Sequence, residues 1–377
     1  MISRLLSKSI SKLLKKGKVW VLYGARRVGK TCLVKEFLSG YRGRIFSGQG
    51  EDIVLRELIE SMSAERYRQS FAGYELVFID EAQRIRQIGE ALKLLVDVLP
   101  ELNVIATGSS SFDPSQELGE PLTGRKAVSL LYPLSVAELH AHWGGMKLEQ
   151  HLDDLLVYGS YPEVLTAGNH DERVEFLLRL REDYLCKDVL ELDRLRNARK
   201  ILDLLRLVAG QVGKEVSLPE LGRQLGLNKK TVDRYLDLLG KAFVLVRVEG
   251  FSRNLRKEIT KSSRYFFVDN GIRNAVLQNF RPLALREDVG ALWENFFIME
   301  RLKLHHYAGR YVQGYFWRTY DQQEIDWIEE EEGVLRAFEC KFRARSVRVP
   351  GAWSKAYPNA SYEQITRDNY LKHLLPD

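Results

Sequence analysis

Eight consecutive residues, Gly24-Ala25-Arg26-Arg27-Val28-Gly29-Lys30-Thr31, satisfy every position of the spacing G-x-x-x-x-G-K-[ST] and leave the chain few alternatives. Residues of strand character, Val19 to Tyr23, run into them, and Leu33, Val34 and Phe37 follow at helical spacing. Gly24 and Gly29 can take backbone angles that a Cβ forbids, so successive N–H groups can turn toward one anion. The following helix adds the positive end of its dipole. The spacing therefore predicts a phosphate cradle running from Gly24 to Cys32. Lys30 is expected on the β- and γ-phosphates of ATP, and the Thr31 hydroxyl on Mg²⁺.

At 377 residues the chain exceeds what one hydrophobic core usually serves, so more than one domain is expected. Cys32, Cys186 and Cys340 are odd in number and far apart, which gives neither a disulfide framework nor zinc spacing and suggests a reducing, cytoplasmic setting. The first 18 residues carry six Lys or Arg and no acid. Their apolar residues recur at helical intervals, which predicts a helix packed beside the first strand and not a signal peptide. No apolar stretch approaches the roughly 18 residues of a membrane span. The formal net charge is +6, and between Lys214 and Arg264 twelve Lys or Arg face six Asp or Glu. The whole excess lies in that segment, as a polyanion-binding surface requires.

Further along, Leu76-Val77-Phe78-Ile79 ends in Asp80-Glu81. A continuous apolar run suits a strand buried on both faces of a parallel sheet, with the two acids emerging at its carboxyl end beside the phosphate loop. There Asp80 would hold Mg²⁺ and Glu81 would polarise the attacking water. A second apolar run, Leu102 to Ala106, ends in Thr107-Gly108-Ser109-Ser110-Ser111, which places Thr107 or Ser109 where a γ-phosphate sensor belongs.

After Leu122-Thr123-Gly124-Arg125 comes a strand closing on Pro133-Leu134-Ser135. Together with the phosphate loop, these motifs resemble prokaryotic AAA-type ATPases of the P-loop class. The resemblance implies an α/β fold with a parallel-sheet core over 1–135 and a helical lid over 136–197 that carries Tyr158-Gly159-Ser160-Tyr161-Pro162-Glu163 and the stretch 184–190. It also makes Arg125 a candidate for neutralising γ-phosphate charge, with Arg26 and Arg27 as competitors.

Residues 198–255 suit a winged helix. Ile201, Leu204, Leu205 and Val208 share a face; Ser217 is placed to cap a short helix; and Lys229 to Leu239 would turn Val232, Leu236 and Leu239 inward, with Lys229, Lys230 and Arg234 outward beside Asp233 and Asp237. In 256–377 a helix carries Glu294, and an expected hairpin pairs Glu324-Ile325-Asp326 with Phe338-Glu339-Cys340-Lys341 across an acidic turn from Glu329 to Gly333. On a strand Glu339 and Lys341 share one face. This order resembles the PD-(D/E)xK, restriction-endonuclease-like fold. It implies Glu294, Asp326 and Glu339 as Mg²⁺ ligands and Lys341 as the group that activates water. The chain as a whole resembles a family whose C-terminal part is a domain of unknown function.

The expected protein is thus an ATP- and ADP-binding, Mg²⁺-dependent ATPase that engages DNA through 214–264, carries a nuclease-like C-terminal domain and can form homo-oligomers, with Arg125 acting either within its own subunit or across to the next. The competing expectation is a nucleotide-gated regulatory or protein-binding switch with an inactive nuclease-like scaffold. A small metabolic kinase has no use for a basic winged helix.

Overall fold

The computed structural model describes residues 2–109, 122–182, 198–252, 263–319, 321–346 and 348–376. Ser110, Ser111, the stretch 184–190 and four of the twelve basic residues, Arg253, Arg256, Lys257 and Lys261, lie outside them. The chain divides into two compact units, Met1–Pro133 and Leu134–Asp377.

In the first unit β1 (Val19–Tyr23), β2 (Ile45–Gln49), β3 (Leu76–Asp80), β4 (Asn103–Gly108) and β5 (Lys126–Leu130) form one sheet in the order β2-β3-β4-β1-β5. Every pairing is parallel. All five residues of β3 are buried, whereas β2 at the edge is half-exposed. An inner strand covered by helices on both faces must be apolar throughout, and an edge strand need not be. Helix Ile88–Val98 contributes Ile88, Ala91, Leu92, Leu95 and Val96 to the core beneath β3 and β4. Asp52 caps helix Ile53–Glu60 by accepting from the N–H groups of Val54 and Leu55. The basic N-terminal segment differs from the single helix expected: it is a 3₁₀ turn, Leu5–Ser9, and one helical turn, Ile10–Leu13, buried through Arg4, Leu6 and Ile10.

The second unit holds a seven-stranded mixed sheet in the order β12-β11-β10-β9-β7-β8-β6. Its strands are β6 (Glu215–Val216), β7 (Leu245–Gly250), β8 (Ser263–Phe267), β9 (Gln313–Arg318), β10 (Glu324–Glu331), β11 (Val334–Cys340) and β12 (Ser361–Ile365). The expected boundary at 255/256 is not a break in this sheet. β7 pairs antiparallel with β8 and parallel with β9, and Phe251 just past β7 joins the core of Trp317, Ile325, Ile328 and Trp353.

The segment expected as a nucleotide lid also belongs to this second unit. Its helices Leu152–Tyr158 and His170–Leu180 pack on helix Asn270–Leu277. Gly159 sits at φ +75°, and a Cβ there would lie 1.9 Å from Asp269 Oδ1. Asp269 accepts from the N–H groups of Ser160 and Gly271, each at 2.8 Å, while burial raises its pKa against those bonds. Lys303 donates to Leu134 O, Ser160 Oγ and Glu300, and Glu300 accepts from Val136 N. The Tyr158–Glu163 signature is therefore a buried polar joint to Asp269 and to helix Val289–Ala308. Its glycine and serine are committed to packing within this unit.

Candidate functional site

The phosphate loop has the two backbone features that its glycines were expected to supply. Gly29 adopts φ +97°, immediately before helix Lys30–Ser39. Gly24 adopts φ +149°, and a Cβ on it would stand 2.2 Å from the Leu131 carbonyl oxygen. Ala25 and Val28 are buried, Arg26 and Gly29 are half-buried, and Arg27 and Cys32 face outward. Lys30 is 5% exposed and folds back over the loop, its Nζ donating to Gly24 O at 3.0 Å and to Ala25 O at 2.9 Å.

The carboxyl ends of β1, β3 and β4 converge on this loop, where ligands bind in open parallel sheets. Thr31 Oγ1 donates to Asp80 Oδ2 at 2.9 Å, and Thr107 donates to Asp80 Oδ1. Thr107 in turn accepts from the backbone N–H of Glu81 at 3.1 Å. Glu81 has φ +52°, a left-handed conformation that costs a non-glycine residue on the order of 1 kcal/mol. Its carboxylate accepts from Gln83 Nε2 at 2.5 Å, and the same nitrogen reaches Ser109 Oγ at 3.0 Å. One connected set thus holds Thr31, Asp80, Glu81, Thr107 and Ser109.

Arg125 is not part of it. It immediately precedes β5, its carbonyl accepts from Val19 N at the start of β1, and its guanidinium is paired with Asp97 at the end of helix Ile88–Val98. Because β1 and β5 are parallel, this is the amino-terminal edge of the sheet, about 16 Å of strand from the phosphate loop at roughly 3.3 Å per residue. A role at its own chain's nucleotide is corrected accordingly. Sequence reasoning also missed Arg4. It is 6% exposed and donates to Val28 O at 2.7 Å and Tyr132 O at 2.6 Å, bracing the loop from behind. A lone arginine in an irregular amino-terminal segment carries no periodic signal.

In the second unit Asp326, Glu339 and Lys341 come together at the β10–β11 pair. The β10–β9 register shifts between Ile325 and Ile328, so Asp326 and Trp327 sit at a bulge, a device that re-aims side chains next to active sites. Asp326 accepts from Cys340 N at 2.8 Å, and Lys341 Nζ lies 2.6 Å from Glu339 Oε1 and 3.8 Å from Asp326 Oδ2. Burial raises the pKa of Asp326 against the pull of Lys341, and raises that of Glu339 together with Asp326. Burial opposes the Lys341 charge, but Asp326 and Glu339 outweigh it and keep the ammonium pKa raised. Glu294 is pushed well up by burial and then by Asp326, while Arg264, 3.6 Å away, resists.

Glu294, Asp326 and Lys341 line a cavity of about 1000 Å³ whose wall also includes Lys214, Arg264, Arg286, Arg318, Arg343, Arg345 and Arg367. Among the described residues, no three His, Cys, Asp or Glu side chains are grouped so as to hold a metal ion. The expected trio of Glu294, Asp326 and Glu339 is therefore not drawn around one point. Lys341 engages Asp326 and Glu339, while Arg264 engages Glu294 and Glu324.

Comparison with known proteins bears on the first unit. Residues 16–140 match the model of the AAA domain. The match supports an AAA-type P-loop ATPase core, whose members bind nucleotide. Residues 149–283 match one domain of unknown function, DUF8612, and residues 289–354 another, DUF4143. The first of these runs across both 197/198 and 255/256. An uncharacterized protein of Mycobacterium tuberculosis is 28% identical over 339 residues, covering 88% of this chain and 72% of its own length. Uncharacterized proteins of Haemophilus influenzae and Methanocaldococcus jannaschii are 24% and 21% identical, covering 67% and 79% of this chain and 68% and 69% of their own lengths. A solved signal-transduction ATPase with numerous domains, from Pyrococcus horikoshii, aligns with 80% of this chain at 14% identity and a TM-score of 0.34, and this chain spans 45% of its length. Among the described residues no helix is long and apolar enough to cross a membrane.

Proposed function

We propose that the first unit binds MgATP and hydrolyses it. The observation that carries this reading is the chain of hydrogen bonds from Thr31 through Asp80 and Thr107 to Glu81, at the mouth of a loop with the required glycine geometry. The Thr31 hydroxyl and Asp80 carboxylate are hard oxygen donors already in contact, a set that fits Mg²⁺, and the ion would neutralise charge on the phosphates. Lys30 exchanges the carbonyls of Gly24 and Ala25 for phosphate oxygens. Glu81 orients and polarises water, and Thr107 and Ser109 sense the γ-phosphate. Glu81→Gln is expected to keep ATP affinity while slowing single-turnover hydrolysis roughly a hundredfold, the usual lower range for losing a positioned base. Turnover at the wild-type rate would remove Glu81 from that role.

For the second unit the reading is a phosphodiester site of the PD-(D/E)xK kind, served by DNA held on the preceding helices. The helices Ala198–Ala209, Leu218–Leu225 and Lys229–Lys241 together with the order β7-β8-β6 support a winged helix within the larger sheet. On helix Lys229–Lys241, Asp237 pairs with Lys241 at 3.3 Å and Asp233 with Arg247 at 3.6 Å. Each acid thus has a cation beside it, and Lys229, Lys230 and Arg234 are exposed on the same helix. Glu294 Oε1 and Glu339 Oε2 are buried without a hydrogen-bond partner, which leaves acceptors open beside the basic wall of the cavity. Lys341, beside Asp326 and Glu339, would orient water at the phosphodiester. Plasmid incubated with Mg²⁺ or Mn²⁺, with and without ATP, is expected to be nicked by wild type and spared by Lys341→Ala. Equal outcomes for the two would leave this site as scaffold.

The ion pairs of Lys341 with Asp326 and Glu339 favour a second reading, in which the nuclease-like unit is inactive and ATP gates protein contacts. Intact plasmid under all those conditions, with ATP binding retained, supports it. In either reading the setting is cytoplasmic, and Arg125 serves the nucleotide only across a homo-oligomer.

A further inference from the structure

Glu81 is tethered twice. Its backbone N–H is held by Thr107, and its carboxylate by the Gln83 amide. Gln83 lies in the 3₁₀ turn Ala82–Arg84 that follows β3, so two residues of chain return its side chain to the acid it orients. The same Nε2 bonds the hydroxyl of Ser109, a fully buried residue at the tip of β4. The amide can face only one way here: a carboxylate accepts and cannot donate, so the nitrogen must point toward Glu81 and the oxygen away. That outward oxygen, Gln83 Oε1, is buried and has no hydrogen-bond partner. A buried carbonyl left bare costs free energy, and such atoms mark places where a ligand or water completes the set.

We propose that Gln83 is a positioning residue of the hydrolytic site. Its NH₂ group fixes the Glu81 carboxylate and the Ser109 hydroxyl in one constellation. Its unsatisfied oxygen accepts from the water that Glu81 polarises, which restricts that water's orientation toward the γ-phosphate. This role rests on the ATPase reading and names a residue that the phosphate-loop spacing and the paired acids do not reveal. The acid it holds sits on a strained backbone, at φ +52°.

The test measures MgATP affinity with a fluorescent ATP analogue and single-turnover hydrolysis for wild type, Gln83→Ala, Gln83→Leu, Glu81→Gln and the Glu81→Gln/Gln83→Ala double variant. Gln83→Ala and the shape-preserving Gln83→Leu are expected to lower the hydrolysis rate about ten- to a hundredfold, as loss of a charge-assisted hydrogen bond implies, with affinity changed less than about twofold. In the Glu81→Gln background the Gln83→Ala loss should shrink to less than about twofold, because both the carboxylate that the Gln83 amide holds and the polarised water that its oxygen orients depend on Glu81. A structural role would lower both quantities and would persist in that background. An unchanged rate in Gln83→Ala, or a full additional loss in the double variant, overturns the positioning role while Lys30-dependent hydrolysis by wild type keeps the ATPase reading. A wild-type chain that hydrolyses no ATP overturns both.

Discussion

Lys30→Ala is expected to weaken MgATP binding about a hundredfold or more and to abolish hydrolysis with it. The magnitude follows from where the ammonium already is. At 5% exposure Lys30 has given up most of its water, and its Nζ is held by two loop carbonyls at 2.9 and 3.0 Å. Moving it onto phosphate oxygens exchanges neutral acceptors for charged ones, and each charge-assisted bond contributes roughly 1.5–3 kcal/mol. Two such bonds amount to about two to four decades of affinity at 1.4 kcal/mol per decade. Arginine should not rescue the loss, since its wide planar fork cannot stand where a compact ammonium fits beneath the loop. A thermal melt gives an independent readout. ATP at a hundred times its dissociation constant should stabilise the first unit of wild type by about 2.7 kcal/mol and that of the variant by almost nothing. Unchanged affinity in Lys30→Ala would remove the phosphate loop from nucleotide binding altogether.

What the sequence made readable was local and periodic. The phosphate loop is a contiguous run whose glycine positions are fixed by backbone angles, and β3 announces itself because a strand covered on both faces has no polar positions until Asp80. The helices Leu218–Leu225 and Lys229–Lys241 could be placed for the same reason. Ser217 and Asn228 accept from the N–H groups of Glu220 and Thr231, and Val232, Leu236 and Leu239 are buried at helical spacing. What escaped was long-range. Arg125 sits in a suggestive motif, yet its position depends on which end of β5 it occupies, and strand direction in the sheet decides that. The continuity of β7 with β9 depends on a pairing between residues more than sixty positions apart. The signature around Gly159 reads as a functional turn until Asp269, a hundred residues on, is seen filling the space that a side chain would need.

The candidate site of the second unit shows the same division at closer range. Glu339 and Lys341 could be read together because alternate residues of a strand share a face. The bulge that aims Asp326 could not, since a register shift leaves no mark in hydrophobic alternation. Nor could the engagement of Glu294 by Arg264, which lies on β8 and in the sequence is only one of a run of basic residues. Gln83 escaped for a different reason. A glutamine after two acids is chemically neutral and common, and only its geometry distinguishes it.

Glu329→Ala is expected to destabilise the second unit by about 3–5 kcal/mol, the usual result of stranding a buried cation. The sequence placed Glu329 in an acidic turn. The structure instead puts it inside β10 with its side chain fully buried, and the turn begins only at Glu332. Arg301 Nε donates to Glu329 Oε1 at 2.7 Å and a second guanidinium nitrogen donates to Oε2. His305 Nε2 lies 3.0 Å away, and Trp327 Nε1 donates at 2.9 Å. Burial alone would raise the carboxyl, but these partners hold its pKa down at about 2, from an ordinary 4.5. A carboxylate depressed on folding contributes stability that is fully present above pH 4.5 and is lost as pH falls from there toward 2. The melting difference between wild type and Glu329→Gln should therefore be large at pH 7 and much smaller near pH 3. A difference that stays constant across that range would show that the charge is not what Arg301 needs. The consequence reaches the candidate site, because Glu329 anchors the strand whose bulge, three residues earlier, presents Asp326. Releasing that anchor should loosen Asp326 and Trp327 before the hairpin itself separates, so that any chemistry at Lys341 fails at a lower temperature than the sheet melts.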